Sequence, residues 1–235
     1  KSLLKGARTA SIAAIVTTIS LSSVTPAYAA PAKPSGASPV SAKPLSTIGG
    51  ATGQDVNSFS TFTLGGKPYI VVSGDIDGYR STTGTASSAS QLFIISDTGA
   101  YVTGAQGISG GYVHATYSRV TSPTSAIIYV GGSFTSAQGQ PRARLAAYNV
   151  TLSNGILSMS LSTTWIPTSG STIRNISFGD NRVYLAGGTI RAIEPTTGAT
   201  LWQTSAGPCG ATAVEYVSYT NSLYAGGLTR LVGGV

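Results

Sequence analysis

The sequence predicts an all-β chain made of an array of repeated, short-stranded units. Two observations carry that prediction. The first is a series of β-branched and aromatic runs: Tyr69-Ile70-Val71-Val72, Leu92-Phe93-Ile94-Ile95, Ile127-Ile128-Tyr129-Val130 and Arg182-Val183-Tyr184-Leu185. Each is bounded by Gly, Asn, Asp or Ser, as strands are. Past the N-terminal leader, no long segment carries the 3.6-residue periodicity of a helix. The second observation is that one of these runs recurs.

Ile128-Tyr129-Val130-Gly131-Gly132-Ser133-Phe134 returns as Val183-Tyr184-Leu185-Ala186-Gly187-Gly188 and again as Leu223-Tyr224-Ala225-Gly226-Gly227. A degenerate earlier copy is Ile70-Val71-Val72-Ser73-Gly74-Asp75-Ile76. The steps are 58 residues from Gly74 to Gly132, 56 from Gly132 to Gly188 and 39 from Gly188 to Gly227. After each of the first three copies comes a second apolar strand and a turn ending in Gly: Leu92 to Gly99, Leu145-Ala146-Ala147-Tyr148 to Gly155, and Ile190-Arg191-Ala192-Ile193 to Gly198. A tryptophan follows in two of them, as Trp165-Ile166-Pro167 and Leu201-Trp202. Repetition at such a period marks stacked or radial arrays, because a single unit cannot bury both of its faces.

Each part of the repeat has a physical reason. The apolar run is an inner strand packed between neighbouring sheets. The Gly pairs, Gly131-Gly132, Gly187-Gly188 and Gly226-Gly227, end it where the backbone approaches a neighbour too closely for a Cβ. The next strand and its Asx-type turn extend the same sheet. Trp165 and Trp202 are expected to fill the gaps between adjacent units, where a large apolar side chain buries most area.

The ends have a different character. Lys1, Lys5 and Arg8 precede an apolar stretch from Ile12 to Leu21, and Ala27-Tyr28-Ala29 supplies a small-x-small cleavage pattern. Residues 1–29 therefore read as a secretory signal peptide cut after Ala29. The run is too short and too rich in Ser and Thr to span a bilayer, and no later segment is apolar enough, so no membrane span is expected in the mature chain. Residues 30–46, with Pro31, Pro34, Pro39 and Pro44 among Ala, Ser and Lys, read as an extended linker. Residues 47–235 hold the repeats, about four units. The start at Lys1 without Met, and the end after a Gly-rich strand pattern, predict a piece of a longer reading frame.

Composition narrows the function classes. Without the signal the chain keeps 11 basic and 7 acidic residues, a net charge of +4. With no Lys/Arg cluster, nucleic acid is not an expected partner. The single cysteine, Cys209, cannot form an internal disulfide, so stability must come from burial or closure of the array.

The residues Ile128-Tyr129-Val130-Gly131-Gly132-Ser133-Phe134-Thr135, continuing through Gly139, Arg142 and Leu145-Ala146-Ala147-Tyr148 to Trp165-Ile166-Pro167, resemble the repeat of secreted bacterial delta-60-type β-propellers. A similar repeat occurs in fungal cell-polarity surface proteins. Ile190-Arg191-Ala192-Ile193-Glu194-Pro195-Thr196-Thr197-Gly198-Ala199-Thr200-Leu201-Trp202 is similar to the repeat of quinoprotein-like propellers. The likeness covers roughly residues 70–235. It implies a β-propeller-like array of four-stranded blades, incomplete at about four units, since propellers close with four to eight blades.

Catalytic chemistry is sparsely represented. His114 is the one histidine, no Ser-His-Asp set is visible, and no Cys/His spacing suggests zinc. Asp75-Ile76-Asp77-Gly78 is the candidate calcium site: two carboxylates before a tight turn can converge on a hard cation. Asp75 also falls where Ser133 falls in the next copy, which makes it part of a repeated turn, and no third carboxylate precedes Arg80. No other cofactor is expected. Glu194 and Glu215 do not make a persuasive glycosidase pair, and the Gly pairs are not phosphate loops. Asn149-Val150-Thr151 and Asn175-Ile176-Ser177 are sequons that matter only in a eukaryotic secretory pathway.

The expected function is therefore a secreted or cell-surface binding or display scaffold that contacts a protein or glycan through loops such as residues 81–90 or 135–144. The rival expectation is a quinoprotein-like or carbohydrate-active propeller enzyme, or an accessory domain of one, whose catalytic part lies outside this sequence.

Overall fold

A computed structural model describes residues 55–80, 86–88, 91–205 and 210–227, all within the unit formed by Lys43–Val235. The signal residues Ala27 and Ala29, the Pro-rich segment and Cys209 lie outside the described residues. Those described contain strands and turns but no helix, so the all-β expectation stands.

Strands β1 (Val56–Leu64), β2 (Lys67–Gly74), β5 (Leu92–Ser96) and β6 (Tyr101–Gly104) form the first antiparallel sheet, in chain order. A small hairpin, β3 (Gly78–Arg80) and β4 (Ala86–Ser88), is inserted after β2. The second sheet repeats the plan with β7 (Val113–Ser122), β8 (Ser125–Gly132), β11 (Leu145–Ser153) and β12 (Ile156–Leu161). Its insertion is β9 (Ser136–Ala137) with β10 (Gln140–Pro141). The third has β13 (Asn175–Gly179), β14 (Arg182–Ala186), β15 (Thr189–Ile193) and β16 (Thr200–Ser205). Strands β17 (Ala213–Val217) and β18 (Ser222–Gly226) pair as the described part of a fourth unit.

Local sequence sets the hairpins. Gly65-Gly66, Asn154-Gly155 and Asp180-Asn181 join β1–β2, β11–β12 and β13–β14, and both residues of each pair have positive φ. That is the type I′ turn, whose twist matches the strands it joins.

Successive sheets stack face to face, which explains why the strand runs are apolar at nearly every position. Val71 and Ile94 of the first sheet pack with Ile128, Val130 and Tyr148 of the second. Tyr129 and Ala147, on the other face of the second sheet, pack with Val183, Leu185 and Ile193 of the third. Tyr184 and Ala186 then meet Ala211 and Val214. A strand covered on both faces has no solvent side to carry an alternating pattern. The outward face of the first sheet, Val72, Phe93 and Ile95, is covered by Ile76 and Tyr79, the latter from the β3–β4 hairpin.

The Gly repeat has a common geometry. A Cβ on Gly74, Gly132, Gly187 or Gly227 would overlap the carbonyl oxygen of Asp55, Tyr112, Thr172 or Gly210 respectively, the segment leading into the first strand of the same unit. Two of those carbonyls are pinned: Asp75 N donates to Asp55 O, and Ser133 N to Tyr112 O, both at 2.8 Å. This corrects the register read from sequence. Gly187, not Gly188, is the counterpart of Gly132, and the steps are 58, 55 and 40 residues. Gly188 takes the place of Ser133 and Asp75.

The first strands of neighbouring units are joined by side chains. Thr116 N donates to Ser58 Oγ at 3.0 Å, Ser60 and Ser118 share a 2.7 Å hydroxyl bond, and Asn57 Nδ2 donates to Val113 O at 2.8 Å, tying β7 to β1. Val214 N donates to Asn175 Oδ1 and Tyr216 N to Ser177 Oγ, each at 3.0 Å, tying β17 to β13. The sequon residue Asn175 is thus a joint between units. Between β7 and β13 the join is aromatic: Tyr117 stacks on Phe178 at 5.9 Å, and the Arg119 guanidinium lies 4.5 Å from the same ring.

Candidate functional site

At that aromatic seam, between the second and third sheets, a cleft of about 380 Å³ opens. Five segments build it: Arg119 and Thr121 from β7, Ile127 from β8, Ala147 and Asn149 from β11, Ser162, Thr164 and Trp165 from the loop after β12, and Pro195 and Thr196 from the β15–β16 turn.

Trp165 forms the base. It is 2% exposed, packs 5.1 Å from the Tyr129 ring, and its Nε1–H donates to Glu194 O at 3.2 Å. The Tyr129 hydroxyl donates to the next carbonyl, Pro195 O, at 3.2 Å. The turn they grip is closed by the Glu194 carboxylate, which accepts the N–H groups of Thr196 and Thr197. Those bonds, foremost the one from Thr197, hold the Glu194 carboxyl below the ordinary carboxylate range. A general acid needs the opposite shift, so Glu194 serves the turn, while Glu215 sits exposed on β17.

The rim is polar. Arg119, fixed over Phe178 and donating through Nη2 to Asn181 Oδ1 at 3.3 Å, provides one cation. Thr121, Thr164 and Thr196 provide hydroxyls and Asn149 an amide. A hydroxyl and amide rim and one guanidinium, set over the buried Trp165, together suit a polyol or peptide whose groups exchange hydrogen bonds with the rim. No protein-family model and no curated protein matches this chain.

The residues singled out in the sequence are placed as follows. Trp165 is buried among residues of the second and third sheets. Trp202 lies on the edge strand β16, is 40% exposed, and touches Tyr184 at 6.2 Å on the side of the fourth unit. Asp75 and Asp77 follow β2, with Ile76 between them buried in the outer core of the first sheet; among the described residues no three Asp, Glu, His or Cys side chains converge for a metal. His114 is half-buried on β7, and burial followed by Arg174 pushes its pKa down. It does not line the cleft. Of the two loop regions, residues 81–90 fall mostly outside the described residues, while residues 135–144 fold as the β9–β10 hairpin against Ser109. The sequence marks Asn149 as a sequon and Trp165 as a repeat residue, but gives Arg119, Thr121 and Thr164 no motif. The alternation Tyr117-Ser118-Arg119-Val120-Thr121 is the signal that could have placed Arg119 and Thr121 on one face.

Proposed function

We propose that this chain is a secreted or cell-surface protein of the β-propeller type that acts as a non-catalytic binding or display scaffold, and that the cleft over Trp165 is its ligand site. The glycine-ended repeats and the three four-stranded sheets that follow one another support the propeller reading. The observation that carries the binding reading is the composition of the cleft: a rim of hydroxyls and an amide and one anchored guanidinium, set over the buried Trp165. The ligand class this supports is a surface glycan or an extended peptide. The acidic group nearest to the cleft is already committed to a turn, so the site offers contacts rather than acid–base chemistry.

The reading is tested by immobilising the folded chain and exposing it to wall-glycan fragments, surface proteins and whole cells. Retention of a glycan or protein is expected, reduced about tenfold or more in Arg119→Ala, the usual loss when a charged hydrogen-bond partner is removed. Equal retention by the variant would overturn the cleft as the site, and no retention of any class would overturn the scaffold reading.

A further inference from the structure

Arg191 sits in the middle of β15, opposite Leu185 on β14 and Gln203 on β16. Ile193, two residues on and therefore on the same face, packs in the core between the second and third sheets, so the Arg191 side chain enters that seam. It is only 6% exposed. Its Nη1 donates to Thr168 O at 2.7 Å. Its Nε and Nη2 are buried and have no acceptor.

The two unpartnered donors are not an arbitrary pair. Nε–H and Nη2–H lie side by side along one edge of the guanidinium plane, the fork that grips two oxygens of a carboxylate or phosphate. Buried donors of a charged group are costly to leave unmet. Arg142, buried to a similar degree, has spent both Nη groups on the carbonyls of Pro141 and Ser162 and keeps only Nε. Its fork is broken; that of Arg191 is whole.

The surroundings are also cationic. Arg144, whose backbone has φ +67°, donates Nη1 to Ser169 O at 2.9 Å, so two guanidiniums hold adjacent carbonyls of one segment. Among the described residues the ion pair is Arg182 with Asp180, in the β13–β14 turn; no carboxylate balances Arg191. Burial alone pushes its pKa down, the signature of a cation without an acidic neighbour.

We propose that the Nε/Nη2 edge of Arg191 is an oxyanion subsite in the seam between the second and third sheets, taking a phosphate or a carboxylate in bidentate fashion. The subsite is separate from the cleft over Trp165 and does not depend on it. No covalent step is involved: the anion replaces the missing acceptor for two N–H groups and balances the charge.

The test is thermal unfolding of the chain in inorganic phosphate, acetate or chloride at matched ionic strength. A saturable rise in melting temperature with phosphate or acetate beyond that with chloride is expected; the more effective of the two tells a phosphate site from a carboxylate site. Arg191→Lys keeps the charge and a donor for Thr168 O but loses the fork, and should weaken the effect about tenfold or more. A response no larger than that of chloride, or one unchanged in Arg191→Lys, overturns the proposal. If Arg191→Lys fails to fold, the arginine Nε–H resonances of the unsubstituted chain decide: a buried Nε–H that shifts saturably with phosphate or acetate supports the subsite, and one that stays fixed overturns it.

Discussion

Replacing Gly132 by alanine is expected to lower the melting temperature by about 10 °C or prevent folding. The added Cβ would overlap the carbonyl oxygen of Tyr112, and its next neighbours are the carbonyl carbon of Tyr112 and the Cα of Val113. All are backbone, and the carbonyl cannot swing aside without breaking the 2.8 Å bond it accepts from Ser133 N. Overpacking typically costs about 1–3 kcal/mol, and against fixed backbone the upper end, roughly 3 kcal/mol or more, is expected; each kcal/mol shifts a domain of this size by about 2–4 °C. Gly170→Ala is the control. Nothing lies within 4 Å of a Cβ there and its φ is ordinary, so the change should stay within about 0.5 kcal/mol. Thermal unfolding of both variants checks the pair. Equal losses would mean that the glycine repeat is not set by close approach.

The second large effect is expected at Trp165. Trp165→Ala removes a side chain that is 2% exposed, its ring contact with Tyr129, and the indole donor to Glu194 O. Truncating a buried aromatic costs roughly 3–5 kcal/mol. Trp202→Ala, at a side chain 40% exposed on the edge strand β16, should cost less than about 1 kcal/mol. Denaturant unfolding of the two variants measures the contrast. Comparable losses would show that both tryptophans wedge units together, as the sequence repeat alone suggests.

That contrast illustrates how much was legible in the sequence. The strands were, because Ile128 to Val130 and Val183 to Leu185 are buried on both faces and so carry unbroken apolar runs. The glycine positions were legible too, although the register slipped by one at Gly187-Gly188: two adjacent glycines look alike until the carbonyl of Thr172 picks out the first. Trp202 reads in the sequence like Trp165, while its burial depends on what covers the last strand of its sheet on the side of the fourth unit, described as β17 and β18. Asp75 and Asp77 are legible as a pair of alternating carboxylates, but the pattern does not show that Ile76 between them is buried, at 1% exposure, in the outer core of the first sheet. The cleft was least legible. Arg119 and Thr196 are 77 residues apart, and polar residues at alternate strand positions read as a solvated face until two sheets meet at the seam. In the sequence Arg191 is one position of a repeat, since nothing in a sequence says which guanidinium edge finds an acceptor.

The central claim, that the cleft over Trp165 is the ligand site, is tested most directly by fluorescence. With two tryptophans in the chain, the Trp202→Phe variant leaves Trp165 as the sole indole reporter. Titrating it with soluble wall-glycan oligosaccharides and short peptides should give a saturable change in emission with at least one of them, and adding Arg119→Ala should weaken that change about tenfold or more. A ligand that is retained by the immobilised chain yet leaves Trp165 emission unchanged, and that binds the Arg119→Ala variant equally well, would contradict the account and put binding elsewhere on the molecule.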